Sequence, residues 1–456
     1  MRAIPTLKIS ISGVRGVVGD SLTPVLLTRF AQAFGTYVSS GRIVIGRDTR
    51  TSGEMVRQSV VAGLLSSGCR IVDIGVCPVP TVQLMVRHVG AQGGIAITAS
   101  HNPAEWNALK FVGDDGLFLS GERGRELLDI YHQGDYTKVS GASMRGIETM
   151  PAAGDRHVAA ILAAVGPLPE RPGGRRLRVA LDSCNGAGSV VTPRLIEALG
   201  AEAVTVNVTP DGSFPRPAEP LPEHLGALSA LVRSSGADVG FAQDMDADRL
   251  AVVDERGEPI GEELTLVLAA GHVLAATPGP VAVNLATTNA IDAVAARYGC
   301  TVTRTKVGEA NVTAGMKRVG AVIGGEGNGG VIYPRINFGR DSLVGIALIL
   351  HLLATADRRV SELVSSLPRF WMHKDRLTCP SNRIREVLAR LRRAYEGAPI
   401  DARDGVKVTM PDGWFLVRGS NTEPILRVVA EAPSEQAATR LLTTVRSQVT
   451  NWIDAR

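Results

Sequence analysis

The chain has 456 residues, with 49 Lys plus Arg against 45 Asp plus Glu, a formal net charge of only +4. Near-balanced charge, 4% aromatic residues and the lack of any long basic run exclude an electrostatic nucleic-acid binder. At ~150 residues per domain the length asks for about three domains, or four.

Five scattered cysteines (Cys69, Cys77, Cys184, Cys300, Cys379) without a CxxC pair argue for a reducing compartment and against a disulfide framework or a thiolate zinc site. The opening MRAIPTLKISISGVRG has no continuous apolar segment of the signal-peptide kind. The longest apolar run, around Leu343 to Ala354, is too short to span a bilayer. The expectation is a soluble cytoplasmic protein with no nucleic-acid and no membrane partner.

In chain order, SGVRGVVG first sets Arg15 among glycines, a candidate anion contact. Residues 42–75 then read as a short Val/Ile strand, a polar turn, an amphipathic helix stopped by Gly68, and a second strand. The same plan recurs at 177–207, with Gly200 as the stop, and at 280–308, with Gly299. Three βαβ units predict three related α/β domains with mostly parallel sheets.

Between the first two units lies GIAITASHNPAEWNALKF, residues 94–111. The apolar Ile95-Ala96-Ile97 stops at Thr98-Ala99-Ser100-His101-Asn102-Pro103. Either this is ordinary turn chemistry, or the turn holds the Ser100 hydroxyl out of the sheet to react. His101 reads better as a hydrogen-bonding support than as a proton carrier.

In GADVGFAQDMDADRLAVVDERG, Asp244, Asp246 and Asp248 alternate and Arg249 follows. Three carboxylates so close repel one another unless a cation holds them, and oxygen ligands alone favour Mg²⁺ or Ca²⁺. An EF-hand is rejected, because Arg249 falls where that loop needs glycine and both flanks read as strands. A solvated surface loop remains the alternative to a Mg²⁺ loop between strands.

Further on, IGGEGNGGVI sets Glu326 in a glycine run that lets backbone approach a ligand. A bare flexible loop is the other reading. The tail alternates as strands with a turn at Asp412-Gly413, then a helix from Ser434, an antiparallel α+β domain. Its LVRGSNTEPILRV brackets a tight turn with Arg418, Ser420, Asn421, Thr422 and Arg427, an anion cradle or a solvated sheet edge. Linkers are expected near 137–146, 254–263 and 365–374.

Taken in order, TASHNP, DMDADR, GEGNG and RGSNTEP, with GVRG and RTKVGE, resemble the motifs of the α-D-phosphohexomutases, the family of phosphoglucomutase, phosphomannomutase and phosphoglucosamine mutase. The resemblance runs along nearly the whole chain. It implies three tandem α/β domains with mixed, mostly parallel sheets and a C-terminal α+β domain around a central cleft. The boundaries fall at 1–145 with the phosphoserine loop, 146–255 with the metal loop, 256–370 with the sugar loop, and 371–456 with the phosphate loop.

It further implies that Ser100 carries the phosphoryl group and, with Asp244, Asp246 and Asp248, ligates one Mg²⁺. Lys110 would be the general acid/base. Arg15, Arg249 and His101 would lie near the transferring group. Glu326 and Asn328 would bind sugar hydroxyls, and Arg418, Ser420, Asn421, Thr422 and Arg427 the substrate's phosphate. The partner would be a small phosphosugar, activated by glucose or glucosamine 1,6-bisphosphate, on a monomer or homodimer.

The resemblance leans to glucosamine 6-phosphate and glucosamine 1-phosphate, with mannose or glucose phosphate as the alternative. A non-catalytic phosphosugar binder has no use for Ser100, and a phosphatase using Asp244 as nucleophile leaves Ser100 unexplained. Three departures stand out. The family's sugar loop often reads Glu-x-Ser-Gly-His, where this chain has Asn328 and Gly330. Asn421 replaces a usual glycine, and Met245 and Ala247 occupy frequent glycine positions of the metal loop.

Overall fold

A computed structural model describes residues 6–10, 13–420 and 424–455. The chain forms two compact units, Met1–His272 with Asn328–Glu362, and Val273–Gly327 with Leu363–Arg456.

Each of the three repeats folds as a βαβ pair of parallel strands. Arg42–Arg47 pairs parallel with Arg70–Val76, Arg178–Asp182 with Glu202–Val206, and Val281–Asn284 with Val302–Thr305. The helices between them end as glycine punctuation requires. Gly68 (φ 78°) follows the helix Gly53–Ser66, Gly200 (φ 97°) caps Thr192–Leu199, and Gly299 (φ 65°) follows Ala290–Arg297.

The first unit holds a seven-stranded sheet, in the order Lys8–Ser10, Gly13–Val17, Trp106–Gly113, Gly93–Ile97, Arg42–Arg47, Arg70–Val76, Ile147–Thr149. Only its later half is parallel. From Gly93–Ile97 outward through Trp106–Gly113 to the N-terminal strands every joint is antiparallel. The reason is the short TASHNP connection, too short for the crossover that parallel strands need. Ile147–Thr149, just past the first linker, completes the sheet beside Arg70–Val76.

A second sheet, ordered Leu250–Val253, Val239–Gln243, Arg178–Asp182, Glu202–Val206, lies in the same unit. The helix Ser342–Ala356 is apolar all round and buried along nearly its whole length, as such a helix must be. It starts at Asp341, whose carboxylate accepts from the Leu343 and Val344 amides. His157, fully buried, lies between Asp341 Oδ2 (2.8 Å from Nε2) and Thr81 Oγ1 (2.9 Å from Nδ1), tying three distant segments together.

In the second unit Val281–Asn284 lies parallel between Val302–Thr305 and Ile323–Glu326. An antiparallel five-stranded sheet runs Trp371–Thr378, Ile425–Ala432, Gly413–Gly419, Val406–Met410, Ile400–Asp401. Two helices accompany it. Glu435–Asp454 begins at Ser434, whose hydroxyl accepts from the Ala437 amide. Ser381–Ala394, entered from Pro380, lies inside the stretch that sequence alternation alone does not describe. Among the described residues no helix is long and apolar enough to cross a membrane. All five cysteines are free thiols.

Candidate active site

The strands Arg42–Arg47 and Gly93–Ile97 run parallel with Arg47 opposite Ile97, so the chain leaves both at the same edge. Asp48 and Thr98 therefore emerge side by side, with Thr98 Oγ1 donating to Asp48 Oδ2 at 2.7 Å. Two residues later Ser100 takes φ +51°, a left-handed conformation costing a non-glycine residue roughly 1–2 kcal/mol. Its amide donates to Thr98 Oγ1 at 3.0 Å. The turn does take Ser100 out of the sheet, but the residue is only 7% exposed.

Arg50 accounts for this conformation. Its guanidinium, with no side-chain exposure, pairs with Asp48 at 3.0 Å. It also donates to the carbonyls of Ser100 (2.8 Å), Asn102 (2.7 Å), Pro103 (2.5 Å) and Trp106 (3.0 Å). One planar fork thus gathers four carbonyls of the serine loop around a fixed charge. No motif singles out Arg50; its available signal is a second charged residue just past the carboxyl end of a buried strand, where open α/β sheets build sites.

The metal loop closes the antiparallel hairpin of Val239–Gln243 and Leu250–Val253, in which Gln243 pairs with Leu250. Asp244 Oδ1 accepts the amides of Asp248 and Arg249, both at 3.1 Å, and Ala247 turns at φ +55°. Asp244, Asp246 and Asp248 are all completely buried, and one ligand oxygen of each lies within 4.8 Å of the others. Asp244 Oδ2, Asp246 Oδ1 and Asp248 Oδ1 have no hydrogen-bond partner. Buried carboxylate oxygens without donors are costly unless a cation takes them. A plain solvated loop is excluded by this burial.

Three cations ring the triad. Lys110 Nζ sits 2.8 Å from Asp246 Oδ2, Arg340 Nη2 2.5 Å from Asp248 Oδ2, and Arg249 Nε 3.8 Å from both Asp244 Oδ2 and Asp248 Oδ1. Burial, then the Asp248 and Asp246 charges, push the Asp244 carboxyl well above the usual range. Burial pushes Asp246 up as well, but Lys110, Arg249 and Arg340 outweigh it and hold that carboxyl below the usual range.

Arg249 also reaches Glu219 Oε1 at 2.9 Å and His101 Nδ1 at 3.4 Å. Burial and then Arg249 bring His101 down to about 4, so at neutral pH it is an uncharged imidazole beside a guanidinium. That fits a support rather than a proton carrier. Arg15 Nη1 donates to Asn102 Oδ1 at 3.2 Å. Thus Ser100, His101, Lys110, Arg15, Arg249 and the triad share one region of the first unit. Arg50, Thr98, Glu219 and Arg340 join them unannounced by the sequence patterns. Asn328 belongs to the same unit, with its Oδ1 accepting from the Gly330 amide at 3.3 Å.

In the second unit Glu326 is 3% exposed, and its Oε1 accepts from Asn284 Nδ2 (2.9 Å) and the Gly308 amide (2.8 Å). The neighbouring Val307 amide donates to Asp404 Oδ2 at 2.9 Å, and the same oxygen receives Arg418 Nε at 3.1 Å. Arg418 lies directly opposite Arg427 across adjacent strands. Facing like charges destabilise a sheet unless an acidic group offsets them, and Asp404 does so for Arg418. The Ser420 amide donates to Ile425 O at 3.0 Å. Asn421 and Thr422 lie outside the described residues.

Four family models match consecutive parts of the chain. They are phosphoglucomutase/phosphomannomutase α/β/α domain I over residues 7–138, domain II over 155–257, domain III over 261–370, and the C-terminal domain over 377–448. A relative from Thermococcus kodakarensis named "Phosphoglucomutase/phosphomannomutase" is 38% identical over 439 residues, covering 94% of this chain and 95% of its own. One from Methanopyrus kandleri named "Probable phosphoglucosamine mutase" is 39% identical over 436 residues, again covering 94% and 95%. The solved structure of a phosphoglucomutase/phosphomannomutase family protein from Burkholderia thailandensis superposes with a TM-score of 0.86 at 27% identity, covering 100% of this chain and 98% of that one. These matches make the chain an enzyme of intramolecular phosphoryl transfer. It belongs to the α-D-phosphohexomutase family.

Proposed function

We propose that this phosphohexomutase interconverts glucosamine 6-phosphate and glucosamine 1-phosphate through a phosphorylated Ser100 and a bisphosphorylated sugar. The observation that carries the site assignment is the triad's three oxygens without a hydrogen-bond donor, fully buried and linked through Asp246 and Thr98 to the loop that presents Ser100. An all-oxygen, carboxylate donor set suits a hard divalent ion, so Asp244, Asp246 and Asp248 would hold one Mg²⁺. When bound, Mg²⁺ supplies charge neutralisation to the oxygens of a phosphoryl group.

The chain's own residues do the rest. Arg50 holds the serine loop so that Ser100 need not reorganise during transfer. Lys110 donates a proton to, or accepts one from, the sugar hydroxyl. Arg15 and Arg249 add fixed positive charge where the phosphoryl charge spreads. Glu326 and Asn328 bind sugar hydroxyls, and Arg418, Ser420, Asn421, Thr422 and Arg427 hold the phosphate that does not react. Because that clamp grips either phosphate, the bisphosphate intermediate can turn around between half-reactions, and glucose or glucosamine 1,6-bisphosphate would activate the enzyme by phosphorylating Ser100 and leaving as the monophosphate. The names of relatives such as the Methanopyrus protein favour glucosamine, with mannose or glucose phosphate as the second reading.

A coupled assay across glucosamine, glucose and mannose 1-phosphates, with bisphosphate activator, tests the substrate; glucosamine is expected to give the highest kcat/KM. Peptide mass mapping tests the carrier. Phosphate is expected on Ser100, and Ser100→Ala should lose several orders of magnitude in turnover. Phosphate found on Asp244 instead, or no mutase activity on any of the three sugars, overturns the reading.

A further inference from the structure

Gly330 sits where the family's sugar loop often carries a side chain, and the structure shows what uses the space. A Cβ built on Gly330 would lie 2.3 Å from Arg340 Cδ and 3.0 Å from its Cγ. The first distance is one that real Cβ atoms do not adopt and the second is tight, so a side chain at 330 requires the Arg340 stem to shift. Arg340 runs across this bare backbone to place Nη2 2.5 Å from Asp248 Oδ2, with its side chain only 11% exposed.

The surroundings keep the arrangement fixed. The Leu250 amide, just past the metal loop, donates to Gly329 O at 3.1 Å, so the sugar loop is pinned against the hairpin that carries the triad. Next to Arg340, Asp341 is held by His157, and Ser342 Oγ donates to the Ala247 carbonyl inside the metal loop at 2.6 Å. With Oδ2 engaged by Arg340, Asp248 Oδ1 is left without a hydrogen-bond donor, with Arg249 Nε 3.8 Å away, in a triad whose ligand oxygens lie within 4.8 Å of one another.

We propose that Gly330 and Arg340 are a size-matched pair, in which the missing side chain at 330 admits Arg340 as the positioning residue that orients Asp248 toward the metal. This rests on the reading of the triad as the Mg²⁺ site. Partners that orient metal ligands change affinity because they fix the ligand before the ion arrives. A guanidinium suits the task, since it stays charged at every working pH and bonds along a defined direction.

The test is calorimetric Mg²⁺ binding to metal-free protein, alongside turnover as a function of Mg²⁺. Arg340→Ala is expected to weaken Mg²⁺ binding by about 10- to 100-fold, with saturating Mg²⁺ restoring turnover. Arg340→Lys, a point charge without the fork, should fall between Arg340→Ala and wild type. Arg340→Gln, which keeps much of the stem and loses the charge, should weaken binding as Ala does and carries the test if Arg340→Ala does not fold. Gly330→Ala should weaken binding in the wild-type background and have no further effect in Arg340→Ala, since both changes remove one contact.

Asp248→Asn separates the two readings. If Asp248→Asn loses Mg²⁺ while Arg340→Ala and Arg340→Gln bind it as wild type, the pairing is wrong and the triad stands. If Asp248→Asn itself binds Mg²⁺ as wild type, the triad reading fails and the pairing with it. Strictly additive effects of Gly330→Ala and Arg340→Ala also overturn the size match.

Discussion

Lys110 Nζ and Asp246 Oδ2 lie 2.8 Å apart, joining the strand that follows the serine loop to the middle ligand of the carboxylate triad. The lysine neutralises Asp246, and the proposed mechanism also has it handle a proton; substitution can separate the two. Lys110→Met should lower turnover by about 10²- to 10⁴-fold, the usual worth of a positioned acid/base. Lys110→Arg keeps the charge but cannot release a proton, so it should not restore turnover. Steady-state kinetics with calorimetric Mg²⁺ binding at pH 8 checks this. Wild-type turnover in Lys110→Arg would show that only the charge matters.

Arg50 is buried with Asp48 and serves four carbonyls, so its removal strands both a charge and the loop. Arg50→Ala should destabilise the protein by about 3–5 kcal/mol, the range for breaking a buried pair. Amide hydrogen exchange at Asn102 and Trp106 should rise together. A melting temperature and an exchange pattern equal to wild type would mean that the loop holds itself.

Arg418 should act mainly through binding, because a phosphate clamp used in both half-reactions stabilises ground and transition states alike. Arg418→Ala should raise KM by about 10- to 100-fold, for a charge-assisted bond of roughly 1.5–3 kcal/mol, and lower kcat less. Asp404→Ala, which frees the Arg418 side chain from its 3.1 Å contact, should raise KM more modestly. An unchanged KM in Arg418→Ala contradicts the clamp.

Lys407 gives a pH signature in the second unit. It is 7% exposed, lies 3.6 Å over the Trp414 ring and donates to Leu285 O at 2.8 Å. Burial, then Arg304, push its ammonium down from 10.5 to about 7. Between those values the unfolded chain binds a proton that the folded one does not, so stability rises with pH by up to about 1.4 kcal/mol per unit. Below about 7 both states are protonated and the penalty is constant. Melting temperatures from pH 6.5 to 9.5 should therefore climb in wild type relative to Lys407→Met. A pH-independent difference would refute the shift.

What could be read from the sequence was whatever lies close along the chain. Asp244, Asp246 and Asp248 alternate within one hairpin loop, and the three βαβ units carry their own periodicity and glycine stops. Arg50 was invisible because its role depends on carbonyls 50 to 56 residues away. Gly330 read as a lost side chain until Arg340 was seen to fill its place. The antiparallel half of the first sheet escaped because the repeat describes only strands joined by helices.

The bond between Asp248 and Arg340 spans 92 residues of chain. At ribosomal rates of about 5–20 residues per second, Arg340 is made on the order of ten seconds after Asp248. Through that interval the nascent chain already carries Ser100, Lys110 and all three aspartates, while the arginine that completes the cluster's charge balance does not yet exist. Synthesis order therefore leaves the acidic loop, for that interval, without one of the three cations that ring it.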